Sequence, residues 1–80
     1  MPYFAYILKS VSLGTRYIGS TADIDKRLTE HNDGKCPYTR NRRPWVLVYS
    51  EEFASLAGAR KRERFLKTGQ GREFLDKIIK

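Results

Sequence analysis

Tyr6, Tyr17, Arg27, His31 and Glu63 are the residues of this chain whose types and spacing could carry out chemistry. A tyrosine beside a cation or a metal can have its pKa drawn down from about 10 towards neutrality and serve as a base on water. An arginine can grip a phosphate through its forked donors and stabilise the charge that develops there. One carboxylate, completed by phosphate oxygens and waters, is enough for Mg²⁺, which rarely uses an all-protein cage. Together the set has the makings of a one-metal site that hydrolyses phosphodiesters. Each member also has a plainer role open to it. Tyrosines favour strands, Arg27 could be a solvated helix arginine, His31 could complement a helix dipole, and Glu63 could pair with a neighbouring arginine.

The elements that must position these groups can be read from the apolar pattern. Runs at residues 4–8 and 17–18 flank a loop with Ser10, Ser12 and Gly14, the pattern of a β-hairpin. The first run is almost continuously apolar, which predicts a strand inside a sheet with both faces covered. Tyr6 and Tyr17 then stand on neighbouring strands within reach of each other. Buried hydroxyls need partners, so two in one hairpin point to a polar site. A helix follows, with Thr21 as its expected N-cap and Asp23 in its first turn. Ile24, Leu28 and His31 recur at helical spacing, and Gly34 closes the helix. Arg27 lies three beyond Ile24 and four before His31, so it borders the same face.

Residues 35–44 form a loop set by Pro37 and Pro44. Residues 45–49 (W-V-L-V-Y) predict a third strand buried on both faces, with Trp45 more an anchor for the core than a DNA contact. Ser55 can cap a second helix whose stripe runs Leu56, Ala59, Glu63, Leu66. An acid in that core-facing row is costly unless it is paired or bound to a cation, and Arg60, Lys61, Arg62, Arg64 and Lys67 surround it in sequence. Residues 68–71 (T-G-Q-G) break the helix, and Phe74, Leu75, Ile78 and Ile79 mark a short third one. The order β-β-α-β-α-α, without repeat or linker, predicts one small mixed α/β domain of the α+β type over residues 1–80.

Charge narrows the partners. Lys and Arg number 16 against 9 Asp and Glu, a net +7, which predicts a polyanionic partner with nucleic acid first. The basic residues are spread over helices and a loop and do not form a juxtamembrane cluster, so a membrane surface is disfavoured. Lys35, Arg40, Arg42 and Arg43 crowd one loop beside Tyr38, where phosphate contacts and base stacking could combine. Cys36 is the only cysteine and His31 the only histidine, so an intramolecular disulfide and a multi-thiolate zinc site are excluded. Nothing orients Cys36 and His31 as a thiol–base dyad. The G-Q-G of residues 69–71 is too short for a dinucleotide fingerprint, and no Walker loop is present. Neither a signal-peptide pattern nor a membrane-length apolar run is seen, which leads to the expectation of a cytoplasmic protein.

In order along the chain stand Tyr6-Ile7-Leu8, Tyr17-Ile18-Gly19-Ser20-Thr21, Arg27-Leu28 with His31-Asn32 and Gly34, Arg43-Pro44-Trp45 with Leu47-Val48-Tyr49, and Arg62-Glu63 with Leu66-Lys67. This succession resembles the GIY-YIG nucleases over nearly the whole chain, and most closely their small stand-alone bacterial members. The resemblance implies a three-stranded antiparallel sheet flanked by helices and a metal-dependent endonuclease acting on DNA, structure-specific and linked to DNA repair or recombination. It implies Tyr6 as base or base-orienting group, Tyr17 as the residue positioning water or phosphate, and Arg27 as stabiliser of the phosphorane. It further implies Glu63 as ligand to Mg²⁺ or Mn²⁺, and His31 as a proton relay or phosphate contact. Two departures stand out. Phe4 and Ala5 replace the Gly and Ile of the name-giving motif, and no asparagine follows Asn41, where many family nucleases carry a late one. A non-catalytic nucleic-acid-binding module of the same fold is the alternative. Substrate recognition is expected from the domain itself, from DNA shape or from a protein partner.

Overall fold

In the computed structural model, which describes residues 2–79, the first apolar run becomes the central strand of a three-stranded sheet. β1 (Tyr3–Ser10) pairs antiparallel with β2 (Arg16–Thr21) on one side and β3 (Trp45–Phe53) on the other. Covered on both faces, β1 buries Ala5, Tyr6, Ile7 and Leu8 in succession. Three α-helices complete the fold: α1 (Ile24–Asn32), α2 (Leu56–Leu66) and α3 (Gly69–Ile78), with a 3₁₀ turn at Arg40–Arg42 inside the basic loop. The expected order β-β-α-β-α-α is the one observed. No helix among the described residues is long and apolar enough to cross a membrane.

The pleat of β1 sorts its side chains into two cores, because successive residues point to opposite faces. Ala5 and Ile7 pack with Leu66 of α2 and Leu75 of α3. Tyr6 and Leu8 pack on the other face with Trp45 and with Ile24 and Leu28 of α1. Trp45 is the core anchor expected of it, 2 % exposed with its indole N–H donated to the Thr39 carbonyl at 2.9 Å. Asn32 clamps the same residue, accepting from the Trp45 N–H at 2.7 Å and donating to its carbonyl at 3.0 Å.

Three expectations are corrected. β3 extends to Phe53 and is an edge strand, not one buried on both faces; Val46 and Leu47 are 44 % and 40 % exposed. The central place went to β1, and the register skips Val48 between Ile7 and Leu8. That extra residue breaks alternation and lets Val48 and Tyr49 both pack on the α2–α3 side. The N-cap of α1 is Asp23, whose side chain accepts from the Lys26 N–H at 3.0 Å. Thr21 remains in β2, and its hydroxyl accepts from the Asp23 N–H at 3.1 Å, one step ahead of the helix. Finally, residues 68–71 start α3 rather than merely separating helices. Thr68 accepts from the Gly71 N–H at 3.1 Å. A Cβ on Gly71 would overlap the Phe65 carbonyl oxygen and sit 2.5 Å from the Leu66 Cα, so only glycine lets the two helices meet this closely.

Candidate active site

The register sets the first pair of site residues. Tyr6 lies opposite Gly19 and Leu8 opposite Tyr17, so Tyr6 and Tyr17 are diagonal neighbours on the face that α1 covers. Their ring centroids are 6.3 Å apart. Gly19 makes the close approach possible: a Cβ there would come within 2.7 Å of the Tyr6 hydroxyl and 3.1 Å of the Tyr17 ring. From α1, His31 enters the same cluster, with its ring centroid 4.7 Å from that of Tyr17. Tyr38 closes it from the basic loop at 6.1 Å from Tyr17.

His31 is fully buried and both of its nitrogens are engaged. Nε2 stands 3.3 Å from the Tyr6 hydroxyl and Nδ1 2.7 Å from the Thr39 hydroxyl. Thr39 donates its own proton to the Cys36 carbonyl at 3.5 Å. That leaves Thr39 to accept from Nδ1–H, and Nε2 to accept from the Tyr6 O–H. Burial lowers the His31 pKa below the ordinary histidine value, the Arg27 charge lowers it further, and Glu30 opposes the shift. His31 is therefore a neutral acceptor and not a cation complementing the α1 dipole. Burial likewise pushes the Tyr6 phenol up to about 12, with Tyr17 and Glu63 adding to the shift and Arg27 opposing it. The drift towards neutrality expected for a tyrosine beside a cation is not found at Tyr6. It is a proton donor in the resting site.

Arg27 lies on α1 beside this pair. Burial works against its charge, yet the Tyr6 hydroxyl and Glu30 hold its pKa above the ordinary arginine value. Its guanidinium contacts Glu30 at 3.3 Å and is 38 % exposed, so a permanent cation faces outward next to the Tyr6 hydroxyl.

Glu63 reaches the site from the opposite face. Its carboxylate accepts from the Ser20 hydroxyl at 2.7 Å and from the Lys67 ammonium at 2.9 Å. Its partner is thus a lysine one turn on, not one of the neighbouring arginines. Burial raises its pKa, but Lys67, Ser20 and the Arg60 charge outweigh that and hold it below the usual carboxylate range. Ser20 lies opposite Ala5, on the α2 side, whereas Gly19 lies opposite Tyr6. The candidate set is therefore divided between the two faces of the sheet. Its halves meet around β2, the edge strand, closely enough for the Glu63 charge to act on Tyr6.

The loop residues separate into different roles. Arg43 donates to the Arg40 carbonyl at 2.7 Å and to the Asn32 carbonyl at 3.4 Å, tying the loop to the end of α1. Arg42 donates to the Tyr38 carbonyl at 2.8 Å and lies over the Tyr38 ring. Arg40 and Lys35 are exposed, as is Tyr38. For the Cys36 thiol, burial raises the pKa but is outweighed by the Thr39 hydroxyl and the Tyr38 and Thr39 N–H groups. His31 is already committed to Tyr6 and Thr39, so no thiol–histidine dyad forms. Gly19, Ser20 and Thr39 are structural parts of the site beyond the five reactive candidates. Alternation in β2 carries a signal for Ser20, since it points away from Tyr17 and towards the helix bearing Glu63. Thr39 sits in a loop with no periodicity and has none.

The family model described as the GIY-YIG catalytic domain matches residues 2–74. A UPF0213 protein of Syntrophus aciditrophicus is 48% identical over 66 residues, covering 80% of this chain and 75% of that protein. Another, from Staphylococcus haemolyticus, is 42% identical over 67 residues, covering 82% and 80%. The solution NMR structure of a UPF0213 protein from Bacillus halodurans superposes with a TM-score of 0.57 at 34% identity, covering 98% of this chain and 85% of that one. With a tyrosine pair, an arginine and a glutamate arranged about β2, one edge strand of its sheet, the chain belongs to the GIY-YIG family.

Proposed function

We propose that the protein is a metal-dependent endonuclease that hydrolyses DNA phosphodiester bonds. The observation that carries this reading is the convergence of Tyr6, Tyr17, Arg27 and His31 with an ionised Glu63 around β2, an edge strand of the sheet. A phosphate at that edge would meet the Arg27 guanidinium, whose charge persists at any working pH and can stabilise the pentacovalent transition state. Tyr17 would orient the phosphate or the attacking water. The buried hydrogen bonds suggest the proton path. As water attacks phosphorus, Tyr6 accepts its proton while passing its own to His31 Nε2, and Thr39 steadies the resulting imidazolium through Nδ1–H.

The residues fit a single hard cation. Glu63 is ionised and only partly covered, and two donors hold its carboxylate in place without using all its lone pairs. Among the described residues no group of three or more His, Cys, Asp and Glu gathers, which suits Mg²⁺ or Mn²⁺ held by one carboxylate, phosphate oxygens and water. Such an ion would neutralise charge on the phosphate and its leaving oxygen. Lys67 would have to yield its hold on Glu63 for the ion to bind.

That same ion pair favours a second reading, a non-catalytic nucleic-acid-binding module in which Lys67 permanently satisfies Glu63. Incubation with labelled duplex, single-stranded and branched DNA separates the two, with Mg²⁺, Mn²⁺ or EDTA present. Metal-dependent fragments that disappear with EDTA and in Glu63→Gln support the nuclease. Binding without fragments on any substrate supports the module. Cleavage confined to branched or unpaired DNA would suit a role in repair or recombination.

A further inference from the structure

A cleft of about 850 Å³ opens along the outer edge of β2, next to the reactive groups. Arg16 and Tyr17 of β2 line it together with Tyr38 of the basic loop, Lys67 just past the end of α2, and Arg72 and Leu75 of α3. It thus straddles the same strand edge around which the two halves of the active site meet. Three cations and no acid line it. Arg16 is steadied from the rim by Asp76 at 2.8 Å, and Lys67 by Glu63 at 2.9 Å. Arg72 is exposed, and its side chain makes no hydrogen bond or ion pair among the described residues. Tyr38 is 65 % exposed although its ring belongs to the aromatic cluster. Arg42 lies over that ring, 5.0 Å from its centroid.

We propose that this cleft binds an unpaired DNA strand, with phosphates on Arg16, Lys67 and Arg72 and a base stacked against Tyr38. Cations along a groove with an exposed aromatic ring are the arrangement that tracks a single strand, because unstacked bases offer faces that a duplex keeps inside. Tyr17 links the cleft to the reacting phosphate. It lines the cleft and packs at a tilt against His31, so a strand lying in the cleft would run beside the candidate active site. The proposal deepens the nuclease reading by naming its substrate class. It rests on that reading only for the cut, and the strand would also bind to a catalytically silent domain.

Fluorescence anisotropy in EDTA, where no cleavage occurs, tests it with a labelled oligothymidylate and a hairpin duplex carrying as many phosphates. The single strand should bind the more tightly. Tyr38→Ala should weaken single-strand binding at least about fivefold, the low end for loss of one stacked base. Arg72→Ala should reduce the salt slope of single-strand binding by about 0.7, one phosphate contact. Neither change should weaken duplex binding as much. Both side chains are exposed, and circular dichroism confirms the fold of each variant. Equal affinity for duplex and single strand, or folded Tyr38→Ala and Arg72→Ala proteins with unchanged single-strand binding, would overturn the proposal. Intact single-strand binding with no cleavage of duplex, single-stranded or branched DNA in Mg²⁺ or Mn²⁺ would overturn the nuclease reading and leave the cleft assignment standing.

Discussion

The Tyr6 hydroxyl and His31 Nε2 lie 3.3 Å apart, both buried, with the tyrosine as donor and the imidazole as acceptor. This contact joins the central strand to the end of α1 and is the proton path of the proposed reaction. Tyr6→Phe keeps the ring and removes the proton path. Cleavage should fall by about 10²–10⁴, the usual contribution of a positioned acid or base. The unsatisfied Nε2 should cost about 1–3 kcal/mol of stability. Single-turnover cleavage and urea denaturation measure the two effects separately.

His31 also predicts a pH dependence of stability. Burial lowers its pKa in the folded state, so the unfolded chain binds more protons and folding loses free energy as the solution is acidified. The contribution is complete above about pH 6.5 and declines as pH falls below it, at no more than about 1.4 kcal/mol per pH unit. His31 is the only histidine, and carboxylates titrate lower, so this window belongs to it. Thermal midpoints between about pH 7 and pH 5 should slope downward in the wild type and much less in His31→Gln. Equal slopes would show that His31 carries no such linkage.

Gly19→Ala tests the close packing of strand and ring. The added methyl would meet the Tyr6 hydroxyl at 2.7 Å and its ring carbon at 2.8 Å, and that ring is buried in the core. A cost of about 1–3 kcal/mol is expected, as for other overpacked cores. Cleavage should fall further than stability alone explains, because Tyr6 must leave its register with His31. A folded variant with wild-type turnover would show that the position tolerates displacement.

Arg27→Ala should abolish cleavage while DNA affinity changes little, since Arg27 is one of 16 lysines and arginines for binding but is the cation held beside the Tyr6 hydroxyl. Its pair with Glu30 is partly exposed, so stability should change by less than about 1 kcal/mol. Arg27→Lys should restore the charge but not turnover, because an ammonium lacks the forked donors. Turnover retained in a folded Arg27→Ala protein would remove it from the site.

Glu63→Gln keeps the shape of the side chain and removes its charge. Metal-dependent cleavage should collapse, and DNA affinity in EDTA should hold or rise, because a negative charge has left a site that faces phosphate. The bond from Ser20 can be kept, and the lost pair with half-exposed Lys67 is worth about 0.3–0.5 kcal/mol. The Glu63 pKa is lowered in the fold, so its stability contribution is present above the unfolded value and is lost as pH falls through the folded one. The mutant should differ least from wild type in strongly acidic solution. Retained metal-dependent cutting would sink the assignment of Glu63.

The sequence by itself determined the order of elements, the hairpin, and the caps at Ser55 and Gly34. These follow from spacing along one chain, where alternation and helical periodicity are local properties. It also pointed to the central position of β1, since a run apolar at every residue needs cover on both faces. The same rule misled at β3, an edge strand where Val46 and Leu47 are exposed and a skipped residue turns Val48 and Tyr49 to one side. Only the tertiary structure decided that Glu63 and the tyrosines occupy opposite faces, with Lys67 and Ser20 holding the acid. Which face a helix covers depends on how its connections cross the sheet, and no spacing within the helix records that. The pairing of His31 with Thr39, the restraint of Arg42 and Arg43 by loop carbonyls, and the cleft along β2 are likewise tertiary. They join residues from elements that approach one another only once two cores have closed on the central strand.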